Sequence, residues 1–325
     1  MAGPGLLRPP VPRRRAEPPS PLGADPVSDY AVSLLVRIGV EAFVALSAYL
    51  LLVIGRISFG QQAFFVIGGY AAGIATALYG APLAVGIMVG AVAAGVAGAL
   101  LSAVMAPAGG IYFAAGSLAF GELVRVALLS FHYQVPVGAD LTGPAGADGF
   151  RGIRALFTGG MSVTTYMLAV SGLLAVTSVV IVLLLSSRWG EAMRMVGEDE
   201  TASASLGVRV RRVAALTMAG AGALAGLGGG LFVHYVTYIE PGHSDVMLGV
   251  HSLAYAFIGG LGTPLGPIIG VALDIGLLES FRFLAGYRMI VFGGLVMGLL
   301  VVRPRGLLDE VAVHRLSRLV AWGRR

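Results

Sequence analysis

The sequence predicts an all-α, polytopic membrane bundle of about eight, and at most ten, transmembrane helices. Three observations carry this. The first is a shortage of charge: 12% of the 325 residues are charged and 57% are hydrophobic, with a mean hydropathy of +0.86. A water-soluble domain is nearer a quarter charged. The second is length. The hydrocarbon core is roughly 30 Å thick and takes about 20 apolar residues to cross as a helix, and stretches of that size recur from Tyr30 to Val302. The third is the lack of the ~10-residue alternating segments of a membrane barrel. Helices satisfy their own backbone groups in lipid, so they are the expected form.

In chain order, residues 1–29 hold half of the 16 prolines and the run Arg13-Arg14-Arg15. They lack the apolar stretch of a signal peptide and read as a disordered cytoplasmic tail. Apolar segments follow at 30–54, 57–79, 83–106, 110–131, 163–187, 213–238, 247–261, 265–284 and 287–302, and a short tail covers 309–325. Two polar connections, 132–162 and 188–212, separate them. Gly is abundant at 49 residues, which suits close helix approach in a membrane bundle.

The net charge of +5 comes entirely from Arg, since the chain has no Lys. A nucleic-acid role is rejected because the arginines cluster at segment ends, as cytoplasmic loops of membrane proteins require. Counting Arg puts residues 1–29, 188–212 and the tail after Arg303 in the cytoplasm and 132–162 outside. Four apolar segments before residue 132 then conflict with the odd number of crossings needed. Segment 57–79, rich in Gly and carrying Ser58, Gln61 and Gln62 near its start, is the one expected to be broken or re-entrant. The simplest total becomes eight crossings.

Several residues are candidates for function. In 188–212, Glu191, Glu200, Ala202, Ser203 and Gly207 lie on a short amphipathic helix ended by Gly207, a natural C-cap. Such a helix across the cytoplasmic face could dock in a partner's groove; an ordinary charged loop is the alternative. Glu122 and Arg125 lie inside an apolar segment at i, i+3 and share a face. They read either as a pathway or gating element or, preferred, as an internally neutralised structural pair. The glycines at 220, 222, 226, 228, 229 and 230 read as tight packing, because a nucleotide loop needs a following Lys. His234, His243 and His251 show no metal-ligand spacing. With no Cys the sequence offers no thiol chemistry. No catalytic residue, metal site or cofactor of its own is expected.

The chain resembles the permease subunits of branched-chain amino acid ABC importers from about residue 45 to 308. The resemblance is carried, in order, by Ile57-Ser58-Phe59-Gly60-Gln61-Gln62-Ala63-Phe64-Phe65-Val66-Ile67-Gly68-Gly69-Tyr70, by Gly110-Ile111-Tyr112-Phe113-Ala114 and by Leu118-Ala119-Phe120-Gly121-Glu122-Leu123-Val124-Arg125. It continues through the loop from Gly190 to Gly207, then Gly259-Gly260-Leu261-Gly262-Thr263-Pro264-Leu265-Gly266-Pro267 and Arg303-Pro304-Arg305-Gly306-Leu307. The resemblance implies a permease domain over 30–308, a coupling loop at 188–212 and a bacterial inner-membrane location with both termini in the cytoplasm. Its partners would be a second homologous permease, two ATP-binding subunits that bind the ATP, and an extracytoplasmic solute-binding protein. The implied substrates are branched-chain amino acids, with urea, short amides or small carboxylates as alternatives. A secondary transporter and an intramembrane enzyme are the rival classes. Two departures stand out. Thr201-Ala202-Ser203 replaces the usual Glu-Ala-Ala before Gly207, and Thr142 to Gly149 is longer than the compact exterior stretch of the family.

Overall fold

A computed structural model describes residues 26–106, 108–137, 140–280, 287–303 and 306–308. The expected tails, at 1–29 and 309–325, fall almost wholly outside the described residues. Of 304–308, only Gly306, Leu307 and Leu308 are described.

The chain is helical through most of its length. Helix α1 spans Pro26–Val53, α2 Gln61–Gly73, α3 Leu83–Val104 and α4 Gly110–Leu129; a π-helical turn, Ile74–Leu78, extends α2. Then come strands β1 (Val135–Val137), β2 (Asp140–Thr142) and β3 (Phe150–Arg151), and helices α5 (Ala155–Thr158), α6 (Val163–Leu185), α7 (Arg188–Glu198), α8 (Glu200–Ser205) and α9 (Val210–Val236). Strand β4 (Tyr238–Ile239) precedes α10 (Val246–Gly259), α11 (Leu265–Ser280) and α12 (Arg288–Val302). Among the described residues, five helices are long and apolar enough to cross a bilayer: Tyr30–Val53 within α1, α3, α4, α6 and α9. Apolar stretches of α10, α11 and α12 are shorter.

Helix α9 is the axis of the bundle and packs on α1, α2 and α3. Glycine makes this possible. A methyl group added at Gly226 would stand 2.5 Å from the Ala94 Cβ and 2.9 Å from the Gly90 carbonyl, and one added at Gly68 would run into the backbone of Gly226. Three backbones therefore meet at Gly68, Gly90 and Gly226, the small-residue packing that membrane helices use in place of a hydrophobic drive. The reading of the α9 glycines as packing residues holds. Around this axis the large side chains Phe43, Tyr49, Phe64, Phe113 and Tyr166 are buried, while Tyr255, Ile258, Val271, Ile275 and Phe292 form a smaller core under α10, α11 and α12.

The neighbours also fix direction. Gly220 faces Leu50 and Gly228 faces Val40, so α1 and α9 are antiparallel. Residues 53–56 lie against Gly197 and Glu200, and Ser102 and Ala106 share a cavity with Glu200 and Arg209. At the other end, β3 pairs with β4 and the Tyr79 hydroxyl meets that of Tyr133 at 3.0 Å. Followed in this way, α1, α2, α3, α4, α6, α9, α10, α11 and α12 alternate in direction. The start of α1 therefore lies at the end opposite α7 and α8. The start of α1 and 132–162 thus share one end of the bundle, and α7 and α8 lie at the other; Arg13 to Arg15 fall outside the described residues. Four passages before residue 132 then need no exception.

The 132–162 connection is built, not slack. A β1–β2 hairpin pairs Val135 with Thr142. Behind it Phe150, Ile153 and Leu156 are buried, with the Phe150 ring 6.4 Å from that of Tyr70 on α2.

Candidate functional site

The expected single amphipathic helix at 188–207 is two helices. Asp199 ends α7 and starts α8, where its Oδ1 accepts hydrogen bonds from the Thr201 and Ala202 amides at 2.7 and 3.0 Å. An aspartate is a strong N-cap and its charge favours the positive helix end, so the chain can turn there without leaving donors unmet. Helix α7 buries Gly190, Met193 and Val196, spaced three apart on one face. The Arg194 Nη1 donates to the Leu185 carbonyl at 2.9 Å and satisfies the end of α6. Gly207 has φ +90° with open space around it, so its requirement is purely conformational, as expected of a C-cap.

Placed on this frame, Glu191, Glu200, Ala202 and Gly207 are exposed, and Ser203 is buried. Ser203, expected among the coupling residues, is the one of the five that packs inward, because α8 leans that face on the bundle. Leu206, 73% exposed, stands out beside Ala202. Sequence reasoning passed over it as one more apolar residue.

Sequence reasoning also missed Arg56. Its Nη2 donates to the Glu200 Oε1 at 3.2 Å, and its guanidinium lies 5.0 Å from the centre of the Phe113 ring. The arginine is buried and Glu200 is 47% exposed, so the ion pair itself contributes no more than the ~0.2–1 kcal/mol of a solvated pair. Its importance is positional. It ties α8 to the α1–α2 junction and to the start of α4.

From Arg56 the chain runs without helix to Gly60, and α2 starts at Gln61 inside the bundle, level with the middle of α4. Here the Phe59 amide donates to the Ser117 Oγ at 3.0 Å and the Gly60 amide to the Ser58 Oγ at 3.2 Å. Of the segment 57–79, expected to be broken or re-entrant, residues 57–60 are non-helical and Gln61 to Leu78 are continuously helical. Gln61 and Gln62 are fully buried, and none of their four side-chain polar atoms has a hydrogen-bond partner among the described residues. A methyl group at Gly121 or Gly249 would strike the Gln62 amide, so glycine on α4 and on α10 leaves the slot this side chain fills. An unmet buried polar group costs about 1–3 kcal/mol, so these amides mark a place built for water, substrate or a second conformation.

Two further polar groups lie at membrane depth. The Tyr255 hydroxyl sits 2.8 Å from the Asp274 Oδ2 and 3.1 Å from the Glu41 Oε2, and Glu41 also pairs with Arg37 at 3.1 Å. This network links α1, α10 and α11. On α4, the Arg125 Nε lies 3.0 Å from both carboxylate oxygens of Glu122, and its Nη2 also donates to Oε1. The two residues form an ion pair, but it is not enclosed in this bundle: the Glu122 and Arg125 side chains are 47% and 36% exposed. A charged side chain facing lipid is costly, most of all at the helix centre, so a partly exposed pair on an apolar helix is notable. Among the histidines, His234 is buried between the Gly230 carbonyl at 2.6 Å and the Thr76 Oγ1 at 2.9 Å. His243 folds back to accept from the Glu240 amide at 3.1 Å in the loop opposite α8.

Known proteins resemble this chain in sequence. The family described as "Branched-chain amino acid transport system / permease component" matches residues 30–302. The chain is 28% identical over 294 residues to the high-affinity branched-chain amino acid transport system permease protein LivM of Escherichia coli K12, covering 85% of this chain and 68% of that protein. It is 32% identical over 133 residues to the LivH permease protein of the same organism, covering 40% of this chain and 42% of that one. BraD of Pseudomonas aeruginosa is 31% identical over 133 residues, covering 40% and 43%. No solved structure matches.

Proposed function

Since the chain belongs to the permease-component family of branched-chain amino acid transport systems, we propose that it forms one half of the translocation pathway of an ABC importer for leucine, isoleucine and valine. The observation that carries this is the family match across 30–302. The geometry at α8 supports it: a short, capped helix with exposed Ala202 and Leu206, anchored through Glu200 to Arg56 at the foot of α2.

In this reading α8 fits a groove on an ATP-binding subunit. ATP-driven movement of α8 passes through Arg56 to residues 57–60, and there it shifts the start of α2, where Gln61 and Gln62 lie with unmet amides. A coupling role thus rests on Glu200, Ala202 and Gly207, with Glu191 on the exposed side of α7 and Ser203 packing α8 onto the bundle. A second, homologous permease completes the pathway, two ATP-binding subunits bind and hydrolyse ATP, and a solute-binding protein delivers substrate. The protein resides in the bacterial inner membrane, with 188–212 and 303–308 cytoplasmic and 132–162 and the start of α1 outside.

Ala202→Asp tests the coupling role. The site is exposed to water in the free chain, so insertion and yield stay near wild type. An unpaired charge in a packed contact is strongly unfavourable, so ATP-binding subunit retained per permease in detergent extracts falls. Equal retention with unchanged leucine uptake removes α8 from the coupling path. Lost retention in a system whose wild type imports none of the three amino acids keeps the ABC mechanism and overturns the substrate.

A further inference from the structure

The Glu122–Arg125 pair sits where a structural ion pair has no need to be. It projects from α4 away from the bundle, next to the exposed apolar residues Leu123 and Val126. By helical rise it lies about 10 Å and about 6 Å, respectively, from the α4 end at Leu129, which is the end of 132–162. Glu122 engages only Nε and Nη2 of a guanidinium that has five donors. The pair therefore presents one carboxylate and one guanidinium, partly exposed, beside apolar surface.

We infer that Glu122 and Arg125 form a binding site for the α-ammonium and α-carboxylate of an amino acid entering the pathway, an inference that rests on the permease reading above. An amino acid zwitterion carries both charges on one carbon. The planar fork of Arg125 suits its carboxylate, and Glu122 accepts from its ammonium. Glu122 and Arg125 each exchange the other for the matching substrate group, so these two charges stay matched when the site is empty and when it is filled. An isolated cation or anion would leave one of the two unmatched. The exposed apolar flank of α4 is left to receive the side chain of the substrate. The pairing of opposite charges at i, i+3 is then a recognition element that closes on itself between substrates, and α4 faces the pathway and not lipid.

The test uses the whole transporter in proteoliposomes, with labelled leucine and its binding protein. The double variant Glu122→Gln/Arg125→Gln removes both charges while keeping polar side chains of similar reach. It is expected to assemble and retain its ATP-binding subunits normally, and to import leucine at least about tenfold more slowly, as expected where a polar site loses its match. In a second measurement, Val126→Cys supplies a single thiol in a chain without cysteine. A charged thiol reagent is expected to label it, and leucine with its binding protein to slow the labelling. Leucine import by the double variant at the wild-type rate overturns the site, and so does a thiol at position 126 that stays unlabelled. A wild type that imports no amino acid overturns the substrate reading and the site together, whereas an active wild type with an unaffected double variant overturns the site alone.

Discussion

At the scale of single residues, the structure turns on small groups whose replacement has a definite cost. Gly226 is the clearest. Any side chain there meets Ala94 and the backbone of α3, so Gly226→Val forces three helices apart. Overpacking of this kind costs about 1–3 kcal/mol, and a lower thermal-aggregation midpoint in detergent is the expected result. Tyr255 is the polar counterpart. Tyr255→Phe removes the hydroxyl between Glu41 and Asp274 and is expected to cost about 1–3 kcal/mol, because buried acceptors lose their donor. Tyr133→Phe removes a hydroxyl that touches only the exposed Tyr79 hydroxyl, and should leave the midpoint unchanged. If the two variants behave alike, the Tyr255 network is not a structural tie.

At the scale of elements, the two-helix form of 188–207 depends on Asp199. Asp199→Ala deletes the cap of α8 and is expected to destabilise that helix by about 1 kcal/mol. Trypsin cleavage at Arg209, Arg211 or Arg212 should then accelerate while the rest of the chain stays protected; unchanged cleavage would mean that tertiary packing, and not the cap, holds α8. Elements are also where the sequence was most and least legible. The apolar segments could be placed because membrane thickness sets helix length, and their ends differ from the observed helices by a few residues. The break before Gln61 showed as polar residues inside an apolar run. The α9 glycines showed as packing residues because no Lys follows them. The Glu41–Tyr255–Asp274 link was invisible: its members are lone polar residues on three segments, with Tyr255 and Glu41 214 positions apart. Arg56 looked like any arginine at a segment end. Leu206 and the inward turn of Ser203 depend on how α8 lies on the bundle, which local pattern does not specify.

At the scale of the whole molecule, the Arg count groups residues 1–29 with 188–212, whereas packing of α1 on α9 sets the start of α1 at the end opposite α7 and α8. The single substitutions Ala31→Cys, Ala147→Cys and Thr201→Cys separate the two topologies. An impermeant thiol reagent applied outside intact cells should label the first two and spare the third. Labelling at position 201, or protection of position 31, would reverse the assignment. The more direct question is what drives transport, since a bundle with polar groups at membrane depth could in principle run on an ion gradient. In proteoliposomes carrying this chain with its partner permease, ATP-binding subunits and binding protein, leucine uptake is expected to require hydrolysable ATP on the α8 side and to persist when proton and sodium gradients are collapsed. Uptake that proceeds without ATP and stops with the ion gradient would contradict the account.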